Sequence, residues 1–139
     1  MSGPIVVGPG EGKAIPFGPV IKAPSELSNQ AFTVVEGRLL PDASGPPMHL
    51  HRSHDESFYV IEGTLTVLTL HGEEEVCTGA YVFFPRGTAH TFANRSDESV
   101  RYVGIASGGL DRFVAELYAA EDDAERRAVL ERYDTELVY

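Results

Sequence analysis

Three histidines crowd six residues of the stretch PPMHLHRSHDESFYVIEG (46–63), and two carboxylates follow at once. His49 and His51 are one residue apart. On a strand, side chains alternate between faces, so both imidazoles would leave the same face with Cα atoms about 6–7 Å apart. That separation suits two ligands on one ion. A tight turn would then return the chain and let Glu56 begin a neighbouring strand facing the same interior. Two histidines and a carboxylate form a recurring ligand set for divalent iron and related ions. Taken alone, the stretch reads either as a solvated hairpin loop or as half of a metal site. The choice turns on a partner elsewhere, and GAYVFFPRGTAHTFAN (79–94) offers one. His90 follows a Pro-Arg-Gly turn on another strand-like run and could complete a set of three histidines and one glutamate.

The elements that would hold these residues are short strands. QAFTVVEGRLL (30–40) is β-branched and roughly alternating, and SFYVIEG, TLTVLTL and SVRYVGIAS share that grammar. Gly63, the His71-Gly72 pair, Gly79 and the Pro85-Arg86-Gly87 turn separate the runs. Many short strands at close spacing predict an all-β sandwich or barrel. The first 29 residues, rich in Gly and Pro, read as an arm with short edge strands. After residue 107 the period changes. Leu110, Phe113, Val114, Leu117 and Tyr118 recur as one helix face. Asp122 with Glu125 predicts a capping box opening a second helix to about Tyr133. The expected plan is one domain: arm 1–29, barrel 30–107, and two short C-terminal helices in 108–139, packed on the barrel or lidding its mouth.

Strand parity places Phe58, Val60 and Phe92 on the face of Glu56 and His90, where they would line an interior pocket. Phe32, Met48, Phe84 and Tyr102 are further wall candidates. His54 and Asp55 read as exposed turn residues, Arg86 as a surface charge and Cys77 as half-buried. Asn94 is expected to bond to nearby backbone.

The formal net charge of −10 excludes a phosphate-backbone partner and an anionic membrane surface as expected ligands. A single cysteine forms no internal disulfide. The opening MSGPIVVGPGEG lacks a basic segment and a long apolar run, and no apolar run approaches a membrane span. A cytoplasmic protein is expected, with a homodimer covering exposed sheet edges.

The two histidine stretches together resemble the cupin family. The first family motif, G-x5-H-x-H-x3,4-E-x6-G, is matched by His49, His51, Glu56 and Gly63, with Ala43 in place of the leading glycine. The second, G-x5-P-x-G-x2-H-x3-N, is matched by Gly79, Pro85, Gly87, His90 and Asn94. Only 15 residues lie between Gly63 and Gly79, as in small single-domain bacterial cupins. The resemblance implies a double-stranded β-helix, or jelly-roll barrel. It implies one divalent transition metal ion (Fe, Mn, Ni, Co or Zn) held by His49, His51, Glu56 and His90. The stretches FYVIEG and FFPRGTAHTFAN, with the C-terminal helices, are similar to quercetin-dioxygenase-like cupins. The leading expectation is therefore a quercetinase-like oxygenase acting on an apolar or aromatic, oxygen-bearing small molecule, with Glu56 as ligand and catalytic base. The alternatives are a non-redox cyclase or isomerase on a polyketide-like substrate, and a non-catalytic binder of small ligands.

Overall fold

The computed structural model describes residues 3–139, so the first two residues of the arm lie outside it. Eleven strands are assigned among the described residues: β1 (Lys13–Ala14), β2 (Val20–Ala23), β3 (Phe32–Leu39), β4 (His49–His51), β5 (Glu56–Glu62), β6 (Thr64–Thr69), β7 (Gly72–Cys77), β8 (Tyr81–Phe84), β9 (His90–Ala93), β10 (Val100–Ser107) and β11 (Thr135–Leu137). Helices α1 (Leu110–Ala119) and α2 (Asp123–Arg132) lie between β10 and β11. The strands form two antiparallel sheets, ordered β1-β2-β3-β10-β5-β8 and β11-β4-β9-β6-β7. Together they make the jelly roll expected from the sequence.

Gly63 is the corner at which the chain leaves one sheet for the other. Its φ of +81° suits glycine, and a Cβ there would lie 2.7 Å from the Ser99 carbonyl oxygen. On either side of it the alternation holds. Phe58 and Val60 on β5, and Leu65 and Val67 on β6, are buried. With Val76, Phe84, Phe92, Val100 and Tyr102 they form the main apolar core. Aromatic edges fill it: Phe58 packs against Phe84, Phe92 and Tyr102 at centroid distances of 4.7–5.5 Å.

The arm covers its own sheet, with β2 pairing along β3 and β1 along β2. The tail contains both expected helices. Asp122 caps α2 by accepting from the Glu125 amide, and the Glu125 carboxylate accepts from the amide of Glu121. A second apolar cluster joins Ala106 to Leu110, Phe113 and Val129, so the helices close over one end of the barrel. The tail then adds the unexpected β11, antiparallel to β4 with Thr135 opposite His51 and Leu137 opposite His49. No helix among the described residues is long and apolar enough to cross a membrane.

Two surface readings need correction. His54 is buried, 8% exposed, although its turn reads as solvated. The turn is stitched to the end of β10: the Asp55 amide donates to Ser107 Oγ and the Ser107 amide to the Asp55 carbonyl. This folds His54 against Gly108, whose left-handed φ of +61° lets the chain bend there. Cys77, read as half-buried, is exposed on the edge strand β7.

Candidate metal centre

β4, β5 and β9 each deliver their side chains to one point. His49 and His51 come from alternate positions of β4, Glu56 from the first residue of β5, and His90 from the first residue of β9. One ligand atom from each lies within 4.8 Å of the others. The imidazoles are 1–8% exposed. His49 and His90 are directly paired across β4 and β9.

Hydrogen bonds to the far side of each ring set its tautomer. His49 Nδ1 donates to the Pro47 carbonyl at 2.8 Å, and His90 Nδ1 to the Thr88 carbonyl at 2.9 Å. A carbonyl only accepts, so both Nδ1 atoms carry hydrogen. His51 Nδ1 lies 2.8 Å from Thr135 Oγ1. That hydroxyl donates to the Tyr133 carbonyl at 3.3 Å and so accepts from His51. Phe84 stacks on the His90 ring at 4.0 Å and 13°, holding its plane.

A neutral ring with hydrogen on Nδ1 has a bare lone pair on Nε2. Glu56 Oε2 is 3.2 Å from Nε2 of both His51 and His90. Two ring nitrogens and a carboxylate oxygen therefore converge, and positive charge at this point, a metal ion or a proton on Nε2, makes that arrangement favourable. Burial, with the neighbouring His90, lowers His49 from 6.5 to about 4, so this ring is neutral and free to ligate near pH 7. Burial alone would raise the Glu56 carboxyl, but the His51 and His90 contacts outweigh it and hold the group well below the ordinary carboxylate range. The donors present suit a divalent transition metal ion.

The cluster opens into a cavity of about 1180 Å³ beneath the C-terminal helices. Phe58, Phe92 and Tyr102 are on its wall, facing Leu110, Phe113 and Leu117 of α1. Four other wall candidates lie elsewhere. Val60 and Phe84 belong to the core behind the site. Phe32 is 45% exposed on the outer face, because Thr33 takes the inward position and bonds to Asp111 and the Gly108 carbonyl. Met48 borders a separate, smaller cavity, and its carbonyl accepts from Val138. Tyr102 packs its phenol over Gly37, where a Cβ would lie 2.2 Å from the ring. Burial raises its hydroxyl, so it stays a donor.

Three further residues clarify the surroundings. Asn94 bonds to backbone carbonyls at Leu39, Leu40 and Glu98, which ties the β9 end to the β3 end. Arg86 is exposed, and its backbone amide donates to the Asp55 carboxylate, linking the two turns that flank the cluster. Thr135 was missed by sequence reasoning. The only trace of it was a polar, β-branched residue after the last helix, with nothing to show that the chain returns to β4.

No curated protein matches the chain. Solved structures do. A cupin-superfamily sugar phosphate isomerase from Silicibacter pomeroyi is 28% identical over 66% of this chain and 60% of its own, with a TM-score of 0.57. The polyketide cyclase RemF from Streptomyces resistomycificus is 25% identical over 64% of this chain and 63% of its own, with a TM-score of 0.58. KdgF from Halomonas sp., at 21% identity, 65% and 76% coverage and a TM-score of 0.56, shares the fold. This chain thus spans about 60% of the length of the isomerase it resembles. Residues 35–106, from the second half of β3 to the end of β10, match the family described as Cupin domain. With both histidine motifs inside that span and their four side chains converging on one point, the chain belongs to the cupin domain family.

Proposed function

We propose that this protein is a metal-dependent enzyme that enolises, and so isomerises or cyclises, an apolar small molecule bearing several oxygens, without net oxidation. One observation carries this reading. Glu56, the only cavity-lining carboxylate that is not exposed, sits against the imidazoles at the base of an apolar cavity. The arginines on the cavity lining, Arg52, Arg126 and Arg127, are all exposed. A buried phosphate would lack a cation there, which favours an apolar substrate over a sugar phosphate. The likeness to a polyketide cyclase supports the non-redox alternative over the quercetinase-like oxygenase expected from the sequence.

A metal ion held by His49, His51, Glu56 and His90 would supply Lewis acidity toward a substrate carbonyl. The chain's own residues do the rest. Glu56 is ionised and can accept a proton from an acidic C–H. Tyr102, kept protonated by burial, can donate to a second substrate oxygen. Phe58 and Phe92 make the wall apolar and aromatic, while Leu110, Phe113 and Leu117 exclude water.

The test is proton exchange. Aromatic 1,3-dicarbonyl compounds incubated in D₂O with metal-loaded protein should exchange the α-hydrogen at the same rate under nitrogen as in air. Dioxygen consumption matched to substrate loss, with no exchange under nitrogen, would overturn the proposal and return the oxygenase reading.

We also propose that two copies pair through the outer face of the six-stranded sheet. Tyr81 lies across from Tyr59, and Phe83 and Ile105 flank Ser57. All four large side chains are 41–56% exposed. None of them is charged, so two chains of net charge −10 can meet there without burying like charges. Light scattering should give a dimer mass that falls to a monomer in Phe83→Glu. A monomer mass for the unaltered chain at micromolar concentration would refute the pairing.

A further inference from the structure

The three imidazoles of the cluster are held in two different ways. His49 and His90 each donate to a carbonyl two residues earlier in their own segment, so their orientation is local. His51 instead donates to Thr135, 84 residues away. Thr135 is 7% exposed and sits at the start of β11, directly opposite His51. β4 itself is short and has one ladder pair with β9, His49 to His90. Its other neighbour is β11, which contributes three pairs.

Further bonds fasten the same segment to β4 and its turn. The Arg52 amide donates to the Asp134 carbonyl at 2.9 Å, and the Val138 amide to the Met48 carbonyl at 2.9 Å. Arg52 pairs with Glu136 at 2.6 Å, and Ser53 Oγ donates to the Asp134 carboxylate. The Phe113 ring meets the His51 ring edge-on at 5.6 Å and meets Tyr133 at the same centroid distance. The C-terminal segment therefore reaches the cluster through His51 at two points, Phe113 of α1 and Thr135 of β11.

We propose that Thr135 is a positioning residue for the metal centre, and that through it the segment 133–138 and the bound ion stabilise one another. This rests on the reading that the cluster binds metal. The Thr135 hydroxyl fixes hydrogen on His51 Nδ1, and that presents the Nε2 lone pair inward. An ion that fixes His51 must in turn favour the docked tail, because coupling between two sites is reciprocal. Partners that orient metal-bound histidines typically contribute about 10–100-fold in affinity.

Zn²⁺ and Co²⁺ titrations against a chromophoric chelator test the first half. Thr135→Val keeps the methyl and removes the hydroxyl, and should weaken both ions about 10–100-fold. Thr135→Ser keeps the hydroxyl and should recover most of the affinity that Thr135→Val loses, which a purely steric role for the threonine would not produce. Hydrogen exchange tests the second half. Zn²⁺ should slow exchange in the 133–139 peptide, including the Val138 amide, and the slowing should shrink in Thr135→Val. If the unaltered chain binds both ions and Thr135→Val binds them equally well, the positioning role is wrong. If Zn²⁺ binds and the tail does not slow, the coupling is wrong. If the unaltered chain binds neither ion, the metal reading itself fails.

Discussion

Glu56→Gln protein, fully loaded with metal, should bind its substrate and exchange the α-hydrogen about 10²–10⁴-fold more slowly than the unaltered chain. The substitution keeps shape and size and removes both charge and basicity. Three imidazoles remain to hold the ion, each with its own hydrogen-bond partner at Nδ1. Metal content is measured beside the rate, because the two roles of Glu56 separate there. If Glu56 served only as a ligand, the rate would follow occupancy and return with excess metal. As a base its loss persists at full occupancy. Near-normal exchange by the loaded variant would refute the base assignment.

His51→Ala should abolish stoichiometric metal binding. The unaltered chain should hold about one divalent ion per chain, and the variant should lose more than the roughly 10–100-fold in affinity that an outer partner contributes. His51 is 4% exposed, so truncation also leaves a hole beneath β11. His51→Gln fills that space with a poorer ligand and separates loss of the donor from loss of packing. Both variants should be checked for native secondary structure by circular dichroism before metal is measured by elemental analysis. An unaltered chain that holds no metal after exposure to Fe, Mn, Ni, Co and Zn in turn would remove the metal reading.

Much of the site was legible because period-two alternation is a strict rule. Glu56, Phe58 and Val60 had to share a face, as did His90 and Phe92, and they do. The two motifs then placed four side chains from three strands at one point. What stayed hidden depended on contacts far apart in the chain. Phe32 and Thr33 are neighbours, and parity alone does not say which faces inward. Asp111, arriving from α1, makes the inward position polar and selects Thr33. His54 sits in a turn whose local residues all suggest exposure, yet Ser107 and Gly108 close over it. β11 is three residues long and follows α2 after two residues, Tyr133 and the left-handed Asp134. So short a piece has no period of its own, and its partner strand alone decides that it is extended.

The long reach from His51 to Thr135 has a consequence for how the protein is made. Translation is vectorial, and 84 residues separate the two partners. At ordinary elongation rates β4 waits on the order of ten seconds before β11 exists. During that interval His49 and His51 are available while the roof of the cavity has not been synthesised. The nascent chain can present both imidazoles to metal before the tail exists; His49 already has its Pro47 partner, and only the later arrival of β11 gives His51 its own. Selection among competing ions would then fall late in biogenesis, after the barrel strands have paired.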